Sequence, residues 1–210
     1  MPRQGSEFER PRLAGVHYSI IQALHWALLA IYFAFGAAYL YDIGLSSFTM
    51  GLVLAAVGLL SAVLQPLIAG NADRAARAGA VRRWCCILII PSCGLMLALW
   101  LFTWPQWLHI GLFVLLWMLM LSLMFLFNSL AMEYTNAGYA LNFGIGRALG
   151  SITFALGSYL YGRCVASYGT PSLLPIGFGL SCLLLIALLL WRSPPLMQAA
   201  LPAEEDSRGF

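Results

Sequence analysis

WLHIGLFVLLWMLMLSLMFLFNSLAM, residues Trp107–Met132, runs for 26 residues without an Asp, Glu, Arg or Lys and stops at Glu133. A bilayer core is crossed by about 20 apolar residues, so this run is long enough to span one as a helix. The same pattern recurs on both sides. Apolar runs cover about Tyr18–Tyr41, Phe48–Gly70, Trp84–Phe102, Ile145–Cys164 and Leu173–Trp191. Each is closed by a turn or a charge, among them Asp42-Ile43-Gly44, Gly70-Asn71-Ala72-Asp73-Arg74, Trp104-Pro105 and Arg192-Ser193-Pro194-Pro195. The expected fold is all-α: a polytopic membrane protein with six transmembrane helices over residues 18–192. A polar N-terminal tail, 1–17, precedes the bundle and a polar segment, 193–210, follows it.

Composition excludes several function classes. Of 210 residues, 61% are hydrophobic and 9% charged, against about 45–50% and about 25% in globular domains. A water-soluble enzyme and a disordered chain are both ruled out, since disorder needs low hydrophobicity and high charge. No basic face with interleaved aromatics stands outside the apolar runs, so no nucleic-acid partner is expected. Cys85, Cys86, Cys93, Cys164 and Cys182 form no CxxC pair and read as buried free thiols. No metal site, cofactor motif or nucleotide-binding motif is present, and the absence of HExxH and of a nucleophile elbow sets a membrane-embedded enzyme aside. Met1–Arg12 is polar, with three Arg and two Glu, unlike a cleavable signal peptide.

Orientation follows from arginine, the only basic residue type apart from histidine. With the N-terminus inside, ten of the eleven arginines fall on the cytoplasmic side and only Arg163 on the other. That asymmetry obeys the positive-inside rule and supports an even number of spans, with both termini cytoplasmic in the cell (inner or plasma) membrane.

Polar residues within spans face a bundle interior or a water-filled cavity, because lipid cannot satisfy them. In the first span Tyr18, Gln22, His25, Tyr32, Gly36 and Tyr39 recur at helical spacing, consistent with either interhelical packing or a cavity wall. The fourth span places Ser122, Ser129 and Glu133 on one stripe, with Asn128 beside it. The fifth places Arg147, Ser151, Phe154 and Ser158 on another, next to a small stripe of Gly146, Gly150, Thr153 and Gly157 that permits close approach of a neighbouring helix. With a turn at roughly Asn136–Asn142, Glu133 and Arg147 are expected at similar depth on adjacent helices. As a pair they would form either a structural salt bridge or a polyol site, in which carboxylate and guanidinium share hydroxyls and Phe154 stacks on the ring.

The string Gln65-Pro66-Leu67-Ile68-Ala69-Gly70-Asn71-Ala72-Asp73-Arg74, with Arg82-Arg83 after it, resembles the loop between the second and third helices of the major facilitator superfamily. In that superfamily the loop helps lock the closed state, which implies gating roles for Gly70, Asp73 and Arg74. Ala69 stands where the usual first Gly would align. Tyr41-Asp42-Ile43, Leu64-Gln65-Pro66-Leu67 and Asn142-Phe143-Gly144-Ile145-Gly146-Arg147-Ala148-Leu149-Gly150-Ser151 resemble segments of the lactose permease-like oligosaccharide/proton symporters. That resemblance implies that Glu133 and Arg147 hold a sugar and Phe154 stacks on it, at a position where lactose permease has Trp. It also implies that the chain looks like one half of a twelve-span fold, the N-terminal half and the start of the central linker.

The function expected is therefore secondary active transport of a small polar solute, a sugar or oligosaccharide, by proton symport. Candidate substrate-binding residues are Glu133, Arg147, Phe154, Ser151, Asn128, Gln22 and His25. Expected partners are the lipid bilayer, a small-molecule substrate, a proton, and a C-terminal half or second half-transporter. The alternatives are an accessory or scaffold membrane protein, a half-transporter working only as a dimer, and a major facilitator for nucleosides or drug efflux.

Overall fold

The computed structural model describes residues 11–74, 79–137 and 142–192, the side chains of residues 11, 12, 69 and 72–74 excepted. Among them are six long helices and one short 3-10 turn: α1 (Pro11–Asp42), α2 (Ser47–Arg74), α3 (Ala80–Leu101), α4 (Gln106–Asn136), α5 (Phe143–Tyr168) and α6 (Leu173–Leu190), with the 3-10 turn Thr170–Ser172 ahead of α6. Five of these helices are long and apolar enough to cross a membrane. The exception is α5, whose apolarity is diluted by five glycines, three serines, Arg147 and Arg163.

Local chemistry accounts for the ends. Gly44 takes φ +91° and closes α1: its N–H donates to Tyr41 O and the Leu45 N–H donates to Leu40 O. That is a Schellman end, in which the residue after the glycine packs inward, and Leu45 is buried. Ser46 then accepts from the Thr49 N–H at 3.2 Å and starts α2. Asn142 accepts from the Ile145 N–H at 3.1 Å and starts α5. Pro66 and Pro91 lie inside α2 and α3, as membrane helices tolerate where neighbours satisfy the freed backbone. The turn expected at Gly70-Asn71-Ala72-Asp73-Arg74 is instead helical to Arg74. Asn71 stays within it by donating to Leu67 O, so this glycine does not end the helix.

The short connections make successive helices antiparallel. The main packing pairs are α1 with α5, α2 with α4, α1 with α6, α3 with α4, and α3 with α6. Exchanging α1 with α4, α2 with α5 and α3 with α6 carries this set of pairs onto itself. Because each triplet has an odd number of helices, its two copies run in opposite senses, the pattern of an inverted repeat. The core gathers along α1 and α4, where Tyr18, Leu28, Tyr32, Leu116, Met120 and Phe127 are all buried.

Candidate functional site

The small stripe of α5 lies against α1. A Cβ on Gly146 would come within 2.7 Å of Tyr18 Cε1, and one on Gly150 would overlap the Trp26 ring. Thr153 continues the seam, its hydroxyl oxygen 3.1 Å from Ala23 O and as near to Leu149 O and Gly150 O of its own helix, and a Cβ on Gly157 would meet Ala30 at 3.6 Å. In lipid the hydrophobic effect does not drive helix association, so close packing of this kind holds the pair together.

Two further stripes of α5 follow from 3.6 residues per turn. Ile145, Leu149, Ile152, Leu156 and Leu160 form an exposed aliphatic stripe. Arg147, Ser151, Phe154 and Ser158 lie about a quarter-turn from the glycine seam on the other side, nearly opposite the aliphatic one. If the aliphatic stripe meets lipid, this polar stripe faces away from it. Arg147 and Ser151 are exposed, while Phe154 and Ser158 are half-buried.

Arg147 sits in an aromatic cradle. Its Cζ is 5.8 Å from the Trp26 ring centroid and 5.7 Å from that of Phe143, within cation–π range of both. Phe154 meets the same Trp26 edge-to-face at 6.1 Å. Trp26 therefore links Arg147 to Phe154. Ser151 donates back to Arg147 O at 3.2 Å. The sequence reading missed Trp26 and Phe143. The signal for Trp26 was available: it lies four residues after Gln22 on the α1 face that meets Gly150.

Other expected site residues lie elsewhere. Glu133 does not pair with Arg147. It is half-buried near the backbone of Val81 in the first turn of α3, with Oε2 buried and unpartnered among the described residues. The Glu133–Arg147 bridge, one of the two readings of that pair, is absent among the described residues: Glu133 lies toward α3, whereas Arg147 lies over Trp26 of α1 and Phe143. Gln22 is 2% exposed and donates to Tyr18 Oη at 2.5 Å. His25 is fully buried, with Nε2 3.0 Å from Met120 O and its ring edge-on to Phe127 at 4.9 Å. Both sit in the packing between helices, the first of the two readings the α1 stripe allowed. Asn128 is half-buried with Oδ1 unpartnered among the described residues. Gly70 stands in α2 with open space beside it. The side chains of Asp73 and Arg74, the other gating candidates, lie outside the described residues.

A second polar cluster ties down the end of α6. His17 Nε2 is 2.7 Å from Ala187 O, Arg82 donates to Trp191 O at 2.8 Å, and the Tyr134 hydroxyl donates to Arg192 O. The Trp191 ring is buried against His17 and Tyr134, with centroids 5.4 and 5.0 Å away. Three other helices thus satisfy one carbonyl that α6 leaves open at its end, that of Ala187, and those of the two residues that follow the helix.

Long apolar helices in an inverted-repeat arrangement, with one arginine–aromatic patch turned from the aliphatic side, define a polytopic membrane protein. Residues 16–207 match the MFS_1 like family. The chain belongs to that family and is a membrane transporter of the major facilitator type. No curated protein matches it.

Proposed function

We propose that the protein is a secondary active transporter moving a small polar solute of the sugar class by proton symport, with alternating access. In this reading all six helices span the membrane, both termini are cytoplasmic, and the chain forms the N-terminal half of a major facilitator fold. The observation that carries it is the Arg147–Trp26–Phe154 arrangement. A guanidinium fork beside an aromatic surface suits a sugar, whose hydroxyls accept from the fork while its apolar face covers a ring. The lower apolarity of α5 fits a helix that lines a solute path. Gly70, Asp73 and Arg74 would help close the cytoplasmic side. The test is uptake of radiolabelled disaccharide into membrane vesicles holding the protein, with and without a protonophore. Uptake should fall at least tenfold with protonophore and with Arg147→Gln. Uptake indifferent to both would overturn the reading.

A second reading, a half-transporter that works only when paired, is favoured by α2. Its small stripe Gly51, Ala55, Gly58 and Ala62 is exposed, with open space beside both glycines. Small residues at this spacing let helices approach closely. Cysteine cross-linking from Ala55 or Ala62 would capture a second copy under this reading, and capture none if the stripe faces lipid.

A further inference from the structure

We infer that Cys93 of α3 and Cys182 of α6 form a redox modification site: a dithiol that a quinone-class oxidant of the bilayer closes into an interhelical disulfide and that a thiol reductant reopens.

The register of α3 against α6 brings the two together. Arg82 donates to Trp191 O at one end of the seam. Further along, a Cβ on Gly177 would come within 2.5 Å of Met96 Cε and Sδ. Residues 82–96 and 177–191 are segments of equal length read in opposite directions, so the helices run antiparallel and keep one register between these contacts. That register sets Cys93 level with Leu180. Cys182 stands two residues on, about 3 Å along the axis.

The faces agree with the register. Ser92 lies one turn from Met96 on α3, Ser181 lies one turn from Gly177 on α6, and both serines are fully buried. Each cysteine follows its serine, so it stands about 100° round from the line where the helices meet. Because the helices are antiparallel, the same step carries both cysteines to the same edge of the seam. Their side chains adjoin there, half-buried and as free thiols. Gly177 lets the backbones close up nearby, as a disulfide requires, since its Cα atoms stand about 4.4–6.8 Å apart. The other cysteines are placed differently. Cys85 and Cys86 are consecutive and point to different sides of α3, and Cys164 is on α5, which packs mainly against α1.

Both helices are long and apolar enough to cross a membrane, and both cysteines stand near the middle of theirs. An oxidant reaching them there has to be soluble in hydrocarbon, which a quinone is. Two S–H bonds break and one S–S bond forms. The two electrons and two protons pass to the quinone, which leaves as hydroquinone, and exchange with a small thiol reverses the step. The bond would staple the middle of α6 to α3, while Arg82 holds its end.

The experiment treats membranes containing the full chain with duroquinone and, in parallel, with copper–phenanthroline. Remaining thiols are blocked with N-ethylmaleimide and the monomer band is mapped by mass spectrometry. After either oxidant the Cys93 and Cys182 peptides should be recovered linked, lighter than the two thiols by two hydrogens, and after dithiothreitol they should be recovered apart. Cys93→Ser and Cys182→Ser should each lose the linked species, while Cys86→Ser keeps it. Thermal melting of the variants in detergent checks that they fold. A bond closed by copper–phenanthroline alone would overturn the quinone as oxidant. Linkage of Cys93 or Cys182 to another cysteine, or no linkage with either reagent, would overturn the pair.

Discussion

The Trp26 indole rests on Gly150 so closely that a Cβ there would overlap the ring. Trp26 in turn underlies Arg147 and touches Phe154, so the contact that seals α1 against α5 also positions the site. Packing and chemistry share one side chain.

Gly150→Ala should therefore cost about 1–3 kcal/mol, the usual penalty for overfilling a packed seam. Thermal melting in detergent would show it as a lowered midpoint. Adding Trp26→Ala should restore part of the loss, since the clash then has no partner. Additive losses in the double variant would show that Gly150 is needed for another reason.

Glu133 and Arg147 should behave as independent residues. Glu133→Ala should cost about 1 kcal/mol by leaving the amide of buried Val81 without that acceptor, and Glu133→Gln much less, because the side-chain amide oxygen still accepts. The coupling energy between Glu133→Gln and Arg147→Gln should lie within about 0.5 kcal/mol, the scatter expected of separate sites. A coupling above 1 kcal/mol in a double-mutant cycle would re-establish them as a pair.

What the sequence made legible follows from how each signal arises. Span positions rest on runs of apolar residues: α1, α2, α4 and α5 contain the runs read for them, and α3 and α6 stop one residue short of theirs. The α5 stripes were legible because 3.6-residue periodicity sorts Gly146, Gly150 and Gly157 from Arg147 and Phe154 without any partner being known. Partners were not legible. The rotation of α4 about its axis decides whether Glu133 meets α3 or α5, and two helices with compatible stripes leave that rotation open. Sequence proximity across a short turn suggested Arg147, whereas packing of α4 along α3 selected Val81. The end of α2 was missed for a local reason: Gly70-Asn71 is a turn signal, but here Asn71 bonds back to Leu67 within the helix.

The end of α6 should open when its clasp is cut. Arg82→Met removes a charge-assisted donor to Trp191 O, and Tyr134→Phe removes the hydroxyl that reaches Arg192 O. Losses of about 1.5–3 and about 1 kcal/mol are expected respectively. Hydrogen exchange should rise in the last turn of α6 in both variants while α5 stays protected. Unchanged exchange at Leu188–Trp191 would mean that the ring packing of Trp191 alone holds this end.

His25 should prove structural. It is fully buried among α1 and α4 side chains, its Nε2 is committed to Met120 O, and no carboxylate stands beside it among the described residues. A proton carrier must exchange with water on at least one side of the membrane, and this ring has no exposed edge. His25→Phe keeps a ring against Phe127 but adds volume in a fully buried site and loses one hydrogen bond, so it should cost about 2–4 kcal/mol. Proton-dependent uptake should keep its pH profile. If His25→Phe abolished the pH dependence but spared uptake down a solute gradient, the buried imidazole would be part of the proton path after all.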